Sequence, residues 1–182
     1  MAKKITTCGL LIALAFVLSY VEYLVPIPVG IPGIKPGLAN LVVLTTLYWL
    51  KPGEVLLISL SRIALSGFLF GGMTGMLFSL CGGLLSFAVM LLLRKTGRFS
   101  PVGVSVAGGV SHNLAQLLVA WLIIRTPGLA AYAPFLLLSG ILAGTAVGVL
   151  GGLLIARIAP LKPSLKKAVD ETDETCYTDE SL

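Results

Sequence analysis

Apolar residues run through this chain in blocks of helical length, separated by short clusters of proline, glycine and basic side chains. A hydrocarbon core of about 30 Å takes roughly 20 helical residues to cross. Six blocks approach that size: residues 5–25, 37–50, 54–70, 74–93, 101–124 and 134–158. The second is short, so it is either a partial crossing enclosed by protein or a segment that begins earlier, in the Pro-rich stretch before it. Residues 26–37 hold repeated prolines and glycines and cannot continue a helix, Lys51-Pro-Gly53 and Thr126-Pro-Gly128 read as turns, and residues 94–100 form a basic polar loop. The pattern predicts an all-α membrane protein with six transmembrane helices.

Composition agrees, with 57% hydrophobic and 12% charged residues among 182, against roughly a quarter charged in a soluble domain. Charge adds a direction. With the N-terminus inside, Lys3, Lys4, Lys51, Arg94, Lys95, Arg98, Arg157, Lys162, Lys166 and Lys167 collect on the cytoplasmic side, and only Lys35 and Arg125 lie outside. That bias predicts cytoplasmic N- and C-termini. Six of the eight acidic residues fall in the last thirteen positions. The chain therefore divides into a membrane domain, residues 1–163, and an acidic, disordered cytoplasmic tail, residues 164–182. Ala13-Leu-Ala15 resembles a signal-peptide cleavage site, but cutting there leaves a hydrophobic region of minimal length, so the first block is kept as a span.

The same distribution narrows the chemistry. Residues 1–169 hold only two carboxylates, Glu22 and Glu54, and no aspartate, so clustered ligands for divalent cations are missing. Cys8, Cys81 and Cys176 share no ligand spacing, and His112 is the sole histidine; no metal site or other cofactor is expected. Basic residues punctuate apolar runs instead of lining a polar face with aromatics, which argues against nucleic acid.

Small residues at helical spacing mark close-packing faces. Gly140, Gly144, Gly148 and Gly152 recur every fourth position, Gly75, Ser79 and Gly83 repeat the device, and the first block carries Gly9 with Ala13 and Ala15 with Ser19. Such ridges serve packing inside the bundle or docking to a separate membrane subunit.

An ionisable group at mid-bilayer costs at least about 2.5–3.5 kcal/mol on insertion scales, so each one calls for a partner. Arg62 stands alone within the third block, with Ser59 and Ser66 on its face. It either snorkels, pairs with a carboxylate or carbonyls, or faces a cavity and holds an anionic or carbonyl-bearing ligand. Ser105, Gly109, His112 and Gln116 form a second small or polar stripe, flanked by Asn113. Glu22 ends the first block as an interface residue or a partner for Arg62, and Lys35 and Asn40 flank the break before the second. The candidate substrate-binding set is Lys35, Asn40, Arg62, His112, Asn113 and Gln116, and residues 26–37 form either a lid or a static loop. Were the chain an enzyme, His112 is the one plausible acid or base.

The signature Gly33-Ile-Lys-Pro-Gly-Leu-Ala-Asn-Leu41, a short apolar span, Gly71-Gly-Met-Thr-Gly75 and Gly109-Val-Ser-His-Asn-Leu-Ala-Gln116 resemble the bacterial Gx transporter family over roughly residues 5–160. That family is also called heptaprenyl diphosphate synthase component I, and it is similar to the substrate-binding S components of energy-coupling factor (ECF) transporters. The resemblance implies a six-helix protein that captures a small molecule from outside and docks through its first helices onto a transmembrane coupling subunit driven by two ATPases. This chain lacks GxxxxGK[ST], so the ATPases are other chains. S components often dock through Ala-xxx-Ala in the first helix, for which Gly9 with Ala13 and Ala15 with Ser19 are the nearest matches. Polyprenyl synthases hold magnesium diphosphate through Asp-rich motifs absent here, so catalysis is not expected. Two alternative partners follow from the family's name and usual gene neighbours: a polyprenyl synthase of quinone synthesis, served without catalysis, or a redox partner in flavin-linked extracellular electron transfer.

Overall fold

The computed structural model describes residues 2–24 and 37–158. Lys35, most of the 26–37 break and the acidic tail lie outside the described residues. Six α-helices occupy the described segments: α1 (Ala2–Leu24), α2 (Leu38–Leu47), α3 (Pro52–Ser66), α4 (Gly72–Thr96), α5 (Pro101–Ile124) and α6 (Ala133–Ile158). Ile5–Leu24, Pro52–Thr96, Pro101–Ile124 and Ala133–Ile158 are long and apolar enough to cross a membrane. The chain is a multi-pass membrane protein. Its outward faces carry the side chains a soluble protein buries: Leu10, Phe68, Met73, Leu92, Leu142 and Leu153 are 62–78% exposed.

Local chemistry sets the boundaries. Lys51-Pro-Gly53 is not the expected turn but the start of α3. Lys51 is its N-cap, Pro52 takes the first helical position, where a missing N–H costs nothing, and the Glu54 carboxylate accepts the Lys51 N–H at 3.0 Å. Ser100 caps α5 by accepting the Gly103 N–H at 3.2 Å. The basic loop is shorter than expected, because α4 continues to Thr96 before Gly97 (φ 66°) ends it. Thr126-Pro-Gly128 leads into a 3-10 turn over Pro127–Tyr132.

The expected interval between the third and fourth blocks is also helical, with one turn of π-helix over Gly67–Gly71. The chain nevertheless reverses there. Gly72 adopts φ 68° and ψ 167°, which only glycine reaches without a Cβ penalty. A Cβ on Gly67 would stand 2.6 Å from Met76 Cβ, and one on Gly83 would stand 2.9 Å from Ile63 Cδ1. In one straight helix residues 63 and 83 would be about 30 Å apart. The limbs are therefore antiparallel neighbours.

Helix α2 decides how the bundle closes. At ten residues it is about 15 Å long, half the hydrocarbon thickness, and Tyr48 to Leu50 form a turn instead of extending it. It carries apolar residues on every side, broken only by Asn40, Thr45 and Thr46, because it is enclosed all round. Val43, Leu44 and Leu47 pack with Val55, Phe87, Met90, Val104 and Val147, while Val42 packs with Ala15 and Ile58. Its buried hydroxyls return to its own carbonyls, as in Thr46 Oγ1 to Val42 O at 2.7 Å. Helix α2 is thus short and enclosed by protein, with Gly37 before its first residue; the Pro-rich stretch in which the alternative places an earlier start lies outside the described residues.

The glycine ridge of α6 is internal. Helices α5 and α6 run antiparallel in backbone contact: a Cβ on Gly144 would stand 2.7 Å from Val106 Cα, one on Gly148 2.7 Å from Val102 Cα, and one on Gly109 2.6 Å from the Gly140 carbonyl oxygen. In α1 the two small pairs diverge. Ala15 and Ser19 are buried, whereas Gly9 and Ala13 are exposed and Gly9 has nothing beside it. Ala15 and Ser19 are therefore core positions and present no surface to a docking subunit, because α1 turns that face onto α2 and α3.

Candidate functional site

All the helices contribute to one cavity of about 120 Å³, room for on the order of ten waters. One end lies where α1 finishes, α2 begins and α3 turns into α4, lined by Glu22, Tyr23, Gly37, Asn40, Phe70 and Gly71. The other end reaches Met90 and Ser105. Ser105 is four residues from the far end of α5, or about 6 Å. The cavity is accordingly long and narrow, and glycines of α5 and α6 form much of its deeper wall.

Asn40, Arg62, His112, Asn113 and Gln116 all line this cavity. Lys35 lies outside the described residues. The stripe Ser105, Gly109, His112 and Gln116 faces the cavity throughout, as does Ser66 beside Arg62, whereas Ser59 is buried against α4 instead.

Arg62 does not snorkel. It is 8% exposed, and its Nη1 donates to Ser19 Oγ at 3.3 Å; Ser19 in turn donates to the Ala15 carbonyl at 3.0 Å. Glu22 lies on the same wall and attracts Arg62 through space, while its Oε1 accepts the Leu38 N–H. That bond has a structural cause. Gly37 precedes α2 with φ 79° and has no side chain to cap the helix, so a carboxylate sixteen residues upstream satisfies its first orphan donor and favours the positive helix end.

The α5 residues divide by task. The Asn113 amide nitrogen donates to Leu136 O at 2.7 Å and to Ser139 Oγ at 3.1 Å, tying α5 to α6. His112 packs against Gly82, where a Cβ would stand 2.8 Å from the imidazole. Gln116 is half-buried on the cavity wall one turn nearer the α1–α2 end.

Sequence reasoning missed several wall residues. Ser19, expected as a docking position, lies on the wall with Glu22, as their i, i+3 relation implies. Ser86 and Met76 carry no distinguishing pattern, and Ser79 stands out only as a small residue between Gly75 and Gly83. An aromatic group also escaped notice: Phe70 packs against Phe16, Tyr20 and Tyr23 with ring centroids 5.8, 5.6 and 5.0 Å away, and with Tyr23 it lines the outer part of the cavity. Among the described residues no three His, Cys, Asp or Glu side chains group as a metal site.

The family model described as heptaprenyl diphosphate synthase component I matches residues 11–154. No curated protein and no solved structure matches the chain.

Proposed function

The chain belongs to the heptaprenyl diphosphate synthase component I family, also called the Gx transporter family, and on that premise we propose that it is the solute-capturing membrane subunit of a bacterial uptake system. In this reading α1 to α6 are six spans of the cytoplasmic membrane, α2 being a half-length one, with both termini inside. The observation that carries the proposal is the convergence of Asn40, Arg62, His112, Asn113 and Gln116 on a single cavity. Polar groups are costly at this depth, and gathering them round an open space suits a ligand better than packing.

A solute enters at the end formed by α1, α2 and the α3–α4 reversal, which the charge bias puts outside. Arg62 and its neighbours hold it by charge and hydrogen bonds. Release inward follows movement against a transmembrane coupling subunit and its ATPases, for which Gly9 and Ala13 remain the exposed small pair on α1. No covalent step is assigned to the chain.

Mass spectrometry of small molecules retained by the purified protein tests this. A solute present in the wild type and lost from Arg62→Ala supports it, and a wild type that retains and transports nothing overturns it. Uptake that survives loss of the cellular coupling ATPases would sink the ECF version alone. The family description favours a second reading, a noncatalytic membrane partner of a heptaprenyl diphosphate synthase, which predicts stable co-purification with a synthase and no solute accumulation.

A further inference from the structure

Two buried polar groups on the cavity wall lack hydrogen-bond partners, and they stand at different depths. The first is Nε of Arg62. Ser19 engages Nη1, the nitrogen on the Cδ side of the guanidinium. The opposite edge, Nε with Nη2, is the one that meets a carboxylate or phosphate through two parallel hydrogen bonds. The second is Oγ of Ser86, a residue 2% exposed. A helical serine commonly returns its hydroxyl to a carbonyl of the preceding turn, as Ser19 and Ser111 do. Ser86 does not.

Helix register gives their relative placement. Gly83 faces Ile63 and Gly82 faces His112, so Arg62 and His112 occupy nearly one level on different walls. Ser86 faces Gly108 and lies four residues, about 6 Å, farther along α4 from the mouth. Gly108, Gly109, Gly140 and Gly144 line the slot, and walls without side chains there admit a thin chain. Glu22 accepts the Leu38 N–H at the mouth and attracts Arg62 only through space, so Nε keeps no hydrogen-bond partner.

We infer that the cavity takes an elongated organic oxyanion: a carboxylate or phosphate on the Nε–Nη2 edge of Arg62, and a hydroxyl or carbonyl at the other end on Ser86. This rests on the solute-binding reading of the cavity. A cation is repelled by Arg62, and an apolar rod leaves both buried groups unpaired, at a desolvation cost that a bifunctional ligand removes.

The test is equilibrium dialysis of the full purified chain in detergent against labelled 4-hydroxybutanoate, 6-hydroxyhexanoate and 8-hydroxyoctanoate. Hexanoate lacks the distal hydroxyl, hexane-1,6-diol lacks the anion, and 6-hydroxyhexyl phosphate distinguishes a phosphate head from a carboxylate. At least one hydroxylated anion should bind, about 10- to 100-fold more weakly to Arg62→Gln and with an intermediate loss in Arg62→Lys. Ser86→Ala should weaken that probe roughly three- to tenfold yet leave hexanoate unchanged. That pair keeps the test decisive if Arg62→Gln fails to fold, since a purely structural role for Ser86 would weaken both probes equally and overturn the inference. Equal binding of hexane-1,6-diol also overturns it. If every probe fails while a neutral or cationic solute is retained, the inference falls and the solute-binding function stands; if nothing binds and nothing is retained, both fall.

Discussion

Replacing Gly144 by alanine adds one methyl group where the backbone leaves no room. The new Cβ would stand 2.7 Å from Val106 Cα and 2.9 Å from the Ser105 carbonyl oxygen, against about 3.5–4.0 Å for relaxed carbon contacts. Both obstacles are main chain, so no rotamer change relieves them, and α6 must withdraw from α5 by about 1 Å. Overpacking of this kind costs about 1–3 kcal/mol, with a rigid neighbour at the upper end, and the helix preference for alanine over glycine returns about 1 kcal/mol. The net loss of about 2 kcal/mol corresponds to a fall in Tm of roughly 4–8 °C for a chain of this size. Gly9→Ala makes the same chemical change with nothing within 4 Å, so it should leave Tm unchanged or raise it slightly. Thermal scanning of intrinsic tryptophan fluorescence in detergent measures both. A Gly144→Ala protein as stable as Gly9→Ala would refute backbone contact along the α5–α6 seam.

Three further outcomes are expected. Asn113→Ala removes both bonds from the Asn113 amide to α6 and should cost about 1–2 kcal/mol in detergent unfolding; Asn113→Asp, which sets a carboxylate against the Leu136 carbonyl, should cost more, and the reverse order would discount those bonds. Glu22→Gln keeps an acceptor for the Leu38 N–H and should retain most of the stability that Glu22→Ala loses, about 1 kcal/mol as for other helix caps, with equal Tm values counting against the cap. For topology, the native cysteines are replaced by serine and Thr96→Cys or Thr126→Cys is added. A membrane-impermeant maleimide on intact cells should label position 126 and spare position 96, and labelling of both or the opposite pattern would reject six spans with an internal N-terminus.

Block length and charge bias belong to the chain itself, so helix positions could be read before any contact was known. Pro101–Ile124 has the bounds its apolar block suggested, and α6 differs from its block by one residue. Breaks were harder, because the same residues serve two ends: Pro52 reads as a turn by type but opens α3, since proline lacks the N–H that a first helical turn leaves unused. Helical spacing likewise put Ser105, Gly109, His112 and Gln116 on one face, and their cost in hydrocarbon marked them as residues needing a partner. Which faces meet is a different kind of information. Spacing marked Gly140, Gly144 and Gly148 as a ridge without saying what touches it, and it marked Ala15 and Ser19 no differently from Gly9 and Ala13. Only the reversal at Gly72 and the enclosed α2 bring Arg62 level with His112, put Ser19 on the guanidinium and leave Ser86 on the same cavity. Those relations join residues tens of positions apart, and no local preference encodes them; they follow from how six helices fill a common interior.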